Sequence, residues 1–167
     1  MTTVHHFKSN LRDMSFNLFE VLDIEHTTLA HERFQSLDRE TVEAALAGLK
    51  QLAETTLAES FAAGDREGLS IDGDGNGTIP ASVTKALKAY HDAEWHLLEL
   101  PAHLGGYGAP PSVIWAAMEL VIGANPVVSF YLLGLLNARI IDRLGTEVLS
   151  PLPHGNGAVD RTVQGVH

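Results

Sequence analysis

Residues 112–145 read SVIWAAMELVIGANPVVSFYLLGLLNARIIDRLG, and their composition indicates the fold class. Apolar side chains occur on nearly every side of a helical projection, which predicts two helices over 112–123 and 127–144. Gly123 and Pro126 interrupt the stretch, so it has no unbroken run of about 20 apolar residues. We therefore interpret it as two buried helices and not as a membrane span.

Two interpretations of this apolar pair stay open. A small domain rarely needs two consecutive helices that are apolar on all sides. Either both helices form the centre of a simple bundle, or one side of them is a wall shared with a ligand or another domain. The sequence alone does not choose between these arrangements.

Three amphipathic segments precede the apolar pair. Residues 11–24 predict a short helix, residues 38–63 predict a long helix capped by Asp38 and ended by Gly64, and a third helix starts at Ser82. The apolar stripes comprise Leu11, Met14, Leu18, Val21 and Leu22 in the first helix, Val42, Ala45, Leu46, Leu49, Leu52, Ala53 and Leu57 in the second, and Val83, Ala86, Leu87, Tyr90 and Leu97 in the third. These stripes, together with the apolar pair, predict an all-α helical bundle.

Polar segments connect the predicted helices. Residues 25–37 indicate a connector, and residues 66–80 are rich in turn formers around a DGDGNG tip, which predicts a small hairpin excursion. Pro110 or Pro111 is expected near the first position of the helix that follows the Gly-rich loop. The last residues, 148–167, have neither helical nor strand periodicity and predict an irregular tail.

The hairpin tip resembles a calcium loop in part. In DGDGNGTIPASV (72–83), Asp72, Asp74 and Asn76 occupy the first, third and fifth positions of an EF-hand. Position 12, which should be a bidentate Glu, is Val83. Because that residue supplies two of the ion's oxygens, we interpret the segment as a turn and not as a calcium site.

Composition excludes several functions. The chain of 167 residues has a formal charge of −10, which argues against binding to nucleic acid or to an anionic membrane surface. It has no cysteine, so thiolate metal sites and cysteine nucleophiles are excluded. The N-terminal residues have no apolar segment of the secretory type, and the cytoplasm is the expected location.

The polar residues of the third helix do not form a recognisable catalytic set. His91 and His96 are five residues apart, so on one helix they would lie roughly 140° from each other, a poor arrangement for two metal ligands. We expect both to be partly exposed helix residues. Asp92 and Glu94 would point to different faces, unlike a glycosidase pair. No nucleophile elbow, dinucleotide fingerprint or P-loop occurs, and no metal site is predicted.

Three segments occur in an order that resembles the acyl-CoA dehydrogenase family. FKSNLRDMSFNLFEVL (7–22) is similar to the N-terminal extension of a bacterial subfamily, and LPAHLGGYGAP (100–110) resembles the family's Gly-rich turn. GANPVVSFYLLGLLNARIIDRLGTE (123–147) resembles the helical segment that follows that turn. The resemblance covers about residues 5–147 and implies the N-terminal helical domain.

The resemblance also implies a chemistry. In that family this helical domain cooperates with a β-barrel and a C-terminal helical bundle, and FAD lies between those two parts. A carboxylate in the C-terminal part removes the α-proton of an acyl-CoA thioester, and electrons pass to an electron-transferring flavoprotein. Members are usually homo-oligomers. No catalytic residue of that scheme is expected within this chain, which alone would bind no FAD.

Two sets of residues take expected roles from the resemblance. The N-terminal helices help to wall the acyl-tail pocket, a role that would fall here to the segment around residues 124–133. The wall residues expected are Val127, Val128, Phe130 and Tyr131, and the turn motif comprises Pro101, Gly105, Gly106 and Gly108.

The end of the sequence departs from the family pattern. Residues 1–24 correspond to the extension and 25–147 to the helical domain, but VLSPLPHGNGAVDRTVQGVH (148–167) matches nothing in the family and is expected to be disordered. We therefore expect a truncated chain that is inactive alone, for example a frameshifted fragment. The alternative is a non-catalytic helical binding module, or a split subunit that pairs with a chain carrying the barrel and bundle.

Overall fold

The computed structural model describes residues 6–145, and helices account for most of them. This confirms the predicted all-α fold. The α-helices are α1 (Leu11–Ser15), α2 (Ile24–Thr27), α3 (Arg39–Leu52), α4 (Ala58–Glu67), α5 (Ala81–Asp92), α6 (Pro111–Ala124) and α7 (Pro126–Leu144). Two π-helical turns lie at Phe16–Val21 and Ala53–Leu57, and single 3-10 turns lie at Glu32–Phe34, Trp95–Leu97 and Ala102–Leu104.

A continuous helical rod runs from α3 through the second π turn into α4. Its start is as predicted, because the Asp38 side chain accepts a hydrogen bond from the Thr41 amide at 2.8 Å. Its predicted end at Gly64 is wrong. The helix continues to Glu67, and Gly68, with a φ of +68°, supplies the left-handed residue that stops it.

Gly64 has a packing role instead of a terminating one. It is buried within α4, where an added Cβ would lie 2.8 Å from Cγ2 of Val83 on α5. The missing side chain therefore allows α5 to approach α4 closely. The expected apolar stripes are largely confirmed here, since Val42, Leu49 and Val83 are buried.

The N-terminal stripe is only half correct. Met14 and Leu18 are buried as predicted, but Val21 and Leu22 are 60% and 55% exposed. The π turn after α1 places an extra residue in the helical repeat. That residue shifts the phase of the stripe, so Phe19 is buried in place of the two aliphatic residues.

The segment predicted as a polar connector contributes to the core. Residues 25–37 include most of α2 and a 3-10 turn. Leu29 and Phe34, 6% exposed each, join the central apolar cluster. The prediction was wrong because isolated apolar residues in irregular backbone have no periodicity to reveal them.

The hairpin excursion is confirmed. Strands β1 (Ser70–Ile71) and β2 (Gly77–Thr78) pair in antiparallel register between α4 and α5. At the tip, Asp72 Oδ1 accepts hydrogen bonds from the amides of Asp74 and Asn76, at 2.9 and 2.8 Å. This network holds the tip in its turn conformation.

The helices pack around one core. The rod contacts both α5 and α6, and α7 also contacts α5 and α6. A buried polar pair joins α4 to the start of α7, where the side-chain amide of Asn125 donates to Ser60 Oγ at 2.7 Å. The side-chain oxygen Oδ1 of Asn125 accepts a hydrogen bond from the Val127 amide at 3.0 Å and so caps α7.

The tail predicted over 148–167 lies outside the described residues. Among residues 6–145, no helix combines the length and hydropathy needed to cross a bilayer. Pro111 does start α6, as the sequence indicates.

Candidate functional site

The outer side of α6 and α7 is apolar and exposed. Trp115 on α6 is 68% exposed and Phe130 on α7 is 69% exposed. The same two helices also expose Ile122, Val127, Tyr131, Ile140, Ile141 and Leu144. In the described part of the chain this exposure argues against a simple bundle core and favours the other arrangement left open by the sequence, a wall shared with a ligand or another domain. An apolar surface of this kind is typical of an interaction or ligand site.

The four expected wall residues divide between two sides of α7. Val127, Phe130 and Tyr131, at i, i+3 and i+4 spacing, share the exposed side. Val128 faces the opposite way and is fully buried in the core. Only the first three could touch a molecule placed on the outer surface.

A cavity of 360 Å³ lies between α5, the loop that follows it, α6 and α7. Its wall is largely apolar and contains both tryptophans of the chain. The lining residues are Tyr90, Trp95, His96, Leu98, Glu99, Pro111, Ile114, Trp115, Ala117, Met118, Ile122, Ser129, Leu132 and Arg139. A concave apolar site with few polar groups is the usual form of a small-molecule pocket.

One ion pair lies in the cavity wall. Arg139 Nη1 on α7 donates to Glu99 Oε1 at 3.1 Å, and the side chains are 38% and 20% exposed. One turn further along α7, Asp142 pairs with Nε2 of His103 at 3.0 Å. These two pairs tie the loop after α5 to the last third of α7.

One of the two histidines behaves as predicted, because His91 is a half-buried residue of α5, whereas His96 is buried and lies beyond the end of that helix. The helix ends at Asp92, and Glu94, with a φ of +60°, turns the chain back. The rings of His91 and His96 consequently stack, with centroids 3.7 Å apart, and His96 is buried. Burial lowers the pKa of His96, and the nearby His91 lowers it further. Nδ1 of His96 has no hydrogen-bond partner among the described residues.

The Gly-rich turn positions one wall of the cavity. Gly105 has a φ of +84°, and a Cβ on Gly106 would lie within 2.1 Å of the Leu100 carbonyl oxygen. The amide of Gly106 donates to the Pro101 carbonyl at 3.1 Å, and the amide of Gly108 donates to the Leu100 carbonyl at 2.8 Å. The motif residues therefore hold residues 97–101 against the start of α6, and none of them lines the cavity.

Curated relatives support the family resemblance. The chain is 40% identical over 143 residues to the broad-specificity linear acyl-CoA dehydrogenase FadE5 of Mycobacterium tuberculosis, in its N-terminal part. It is 29% identical over 138 residues to the 3-methylmercaptopropionyl-CoA dehydrogenase of Ruegeria pomeroyi. The chain is thus similar to acyl-CoA dehydrogenases.

The alignments cover most of this chain but only a small part of each relative. These alignments cover 85% and 83% of this chain, but only 23% of each relative. The chain thus spans about a quarter of the length of the curated acyl-CoA dehydrogenases that it matches. No family model matches the sequence.

The cavity does not fit the flavin cofactor that the family implies. FAD carries a pyrophosphate, whereas the wall's arginine is already paired with Glu99. A pyrophosphate there would lie beside that carboxylate. We therefore assign no flavin contact to the cavity. The calcium hypothesis also gains no support, since residues 6–145 contain no group of three or more histidine or acidic side chains able to hold a metal ion.

A second cavity, of 390 Å³, lies between the N-terminal segment and α6. It is more polar than the first, with Lys8, Asp13 and Glu119 in its wall, and Trp115 lies between the two cavities. Sequence reasoning missed both cavities, together with Glu99 and Arg139. Glu99 and Arg139 are 40 residues apart, so no local sequence pattern indicates that they form an ion pair.

Proposed function

We propose that the chain forms the N-terminal helical part of an FAD-dependent acyl-CoA dehydrogenase that introduces a double bond between the α and β carbons of acyl-CoA thioesters. The flavin-binding barrel, the C-terminal bundle and the catalytic carboxylate would come from sequence not included here. The observation that carries this proposal is the exposed apolar side of α6 and α7. It is the surface that such a domain must present to the rest of the enzyme.

The contribution of this chain would be to exclude water and to orient the acyl tail. Val127, Phe130 and Tyr131 offer a continuous apolar surface on α7, and Val128 anchors that surface from the core. Burying exposed aromatic and aliphatic side chains is favourable by about 25 cal/mol per Å² of apolar area. A long acyl tail would gain from the same contacts.

The wider properties of the family extend the proposal. The substrate would be an acyl-CoA, the electron acceptor an electron-transferring flavoprotein, the assembly a homo-oligomer and the location the cytoplasm. By itself the chain would bind no FAD and would be inactive.

A second candidate function is a non-catalytic helical binding module. The observation that favours it is the 360 Å³ cavity, whose wall is built entirely from described residues of this chain. In that case the apolar ligand would be held without any dehydrogenation.

The test is complementation with the Mycobacterium relative. Its chain is produced without the region that matches residues of this protein, and this protein is supplied as a separate polypeptide. We expect a yellow complex that reduces an artificial electron acceptor in the presence of acyl-CoA. The readouts are flavin absorbance, co-elution in size-exclusion chromatography and rate of acceptor reduction.

Matched variants locate the contact surface. Phe130→Asp places a charge on the exposed side of α7, whereas Leu69→Asp does so on the hairpin, where Leu69 is 77% exposed. Complex formation should be lost with the first variant and kept with the second. A colourless protein that never associates, or equal behaviour of both variants, would contradict the proposed surface.

A further inference from the structure

The cavity between α5, the loop that follows it, α6 and α7 has a largely apolar wall. Trp95, Ile114, Met118 and Leu132 contribute carbon surface from the loop, α6 and α7. Such a wall favours an alkyl chain or a ring over a polar molecule, because polar groups would lose water without gaining partners.

The charged groups of the wall cancel each other. Arg139 supplies one positive charge and Glu99 one negative charge, with 3.1 Å between Nη1 and Oε1. His96 adds no charge at neutral pH, because burial holds its pKa below the ordinary value. The next carboxylate on α7, Asp142, is already paired with His103.

We propose that Glu99 and Arg139 are specificity-determining residues, which make this cavity accept uncharged apolar chains and exclude the corresponding carboxylates. The inference goes beyond the proposed function, which places the acyl tail against Val127, Phe130 and Tyr131, because none of those residues lines this cavity. It names the feature that would keep a free fatty acid out of the same cavity.

Charge explains the direction of the preference. A carboxylate that approached Arg139 would have to displace Glu99 or lie beside it, and two carboxylates close together repel strongly in a partly desolvated site. The chain as a whole carries a formal charge of −10, which adds to the repulsion at long range. An alcohol of the same length meets neither obstacle. We expect it to bind about tenfold or more tightly than the acid, a difference of about 1.4 kcal/mol.

The chain contains its own reporters for the experiment. Its two tryptophans, Trp95 and Trp115, both line the cavity, so any ligand that enters should change the intrinsic fluorescence. The full chain is titrated with decanol and with decanoate at neutral pH, below the concentration at which either aggregates. A saturable change with decanol and a weak or absent change with decanoate is the expected result.

Variants of the ion pair test the cause. Glu99→Gln leaves Arg139 without its partner, so decanoate should bind about tenfold more tightly than in the unaltered chain and the preference for decanol should largely disappear. Arg139→Gln leaves Glu99 alone and should weaken decanoate binding further. Asp92→Asn is the matched control, because it removes one negative charge from the Lys88–Asp92 pair, which does not line the cavity. It should leave the preference unchanged.

Several results would overturn the inference. They are equal affinity of the unaltered chain for decanol and decanoate, no fluorescence response to either, or a preference that stays the same in both ion-pair variants. Circular dichroism establishes that each variant is folded, and either ion-pair variant alone suffices for the test. Decanol selectivity in a chain that never complements the Mycobacterium relative would refute the proposed function and leave this inference standing. Complementation by a chain that shows no preference for decanol would support the proposed function and refute this inference.

Discussion

Replacing Asn125 by alanine should lower the stability of the fold, because its buried side chain makes two hydrogen bonds at the junction of α6 and α7. Asn125 is 1% exposed, donates to Ser60 Oγ at 2.7 Å and accepts from the Val127 amide at 3.0 Å. Loss of the helix cap costs about 1 kcal/mol, and loss of a buried hydrogen bond costs about another 1 kcal/mol. The space left behind adds a smaller cavity term. The free energy of unfolding should therefore fall by about 2–3 kcal/mol.

Denaturant and thermal unfolding of the full chain measure this effect. For a protein of this size, 1 kcal/mol shifts Tm by about 2–4 °C, so Asn125→Ala should melt roughly 4–12 °C lower. Ser60→Ala should cost less, since it removes only the interhelical bond and the bond from Ser60 Oγ to the Leu57 carbonyl. In the double variant the two effects should be less than additive. A loss below about 0.5 kcal/mol for Asn125→Ala, or strict additivity, would refute this account of the junction.

Three further changes test other contacts by unfolding measurements. Gly105→Ala should cost about 1–2 kcal/mol, the usual cost of a left-handed alanine, because its Cβ would point into open space. Gly106→Ala should cost more than that, because its Cβ would meet the backbone of Leu100. Equal losses at the two glycines would contradict this. Burial lowers the pKa of His96, so below the ordinary pKa of 6.5 the unfolded chain binds a proton that the folded chain does not. The free energy of unfolding should therefore fall as the pH drops below 6.5, by at most about 1.4 kcal/mol per pH unit. His96→Phe should reduce that slope. An unchanged slope would show that other groups cause it. Gly64→Ala should cost about 1–3 kcal/mol, because the added Cβ would contact Val83. Adding Val83→Ala to the Gly64→Ala variant should recover part of that loss. If nothing is recovered, contact with Val83 is not the cause.

Much of the helical architecture could be predicted because periodic apolar residues and a capping residue act locally. Asp38 is an N-cap whose hydrogen bond depends only on the next three residues, and the sequence shows it directly. The hairpin tip is equally local, since Asp72 satisfies the backbone around itself. Each of these predictions is confirmed by the structure.

The predictions that were wrong depend on contacts between distant residues. Gly64 looks like a helix end, but the close approach of Val83 from α5 explains its presence inside α4. Leu29 and Phe34 lie in a polar segment, and only the folded core shows that they are buried. The stack of His91 on His96 depends on a left-handed residue, Glu94, which no helical projection includes.

The candidate site was predicted only in outline. The resemblance directed attention to α7, where Val127, Phe130 and Tyr131 are indeed exposed, although their proposed role as an acyl wall stays a prediction. The Glu99–Arg139 pair could not be anticipated, because the two residues meet through the packing of α7 over the loop after α5. Charge pairing over 40 positions leaves no pattern in a single sequence.

The π turn at Ala53–Leu57 has a consequence for how this protein tolerates insertions and deletions. An α-helix turns by about 100° per residue, and the π turn holds one residue more than an α turn within about the same rotation. Deleting one residue between 53 and 57 should therefore convert the turn into regular helix while α4 keeps its orientation, so that Ser60 still meets Asn125 and Gly64 still meets Val83. A substitution at an exposed position such as Thr55 should be equally mild. A second deletion would have no wide turn left to absorb it, and it should rotate Ser60 away from Asn125 by about 100°.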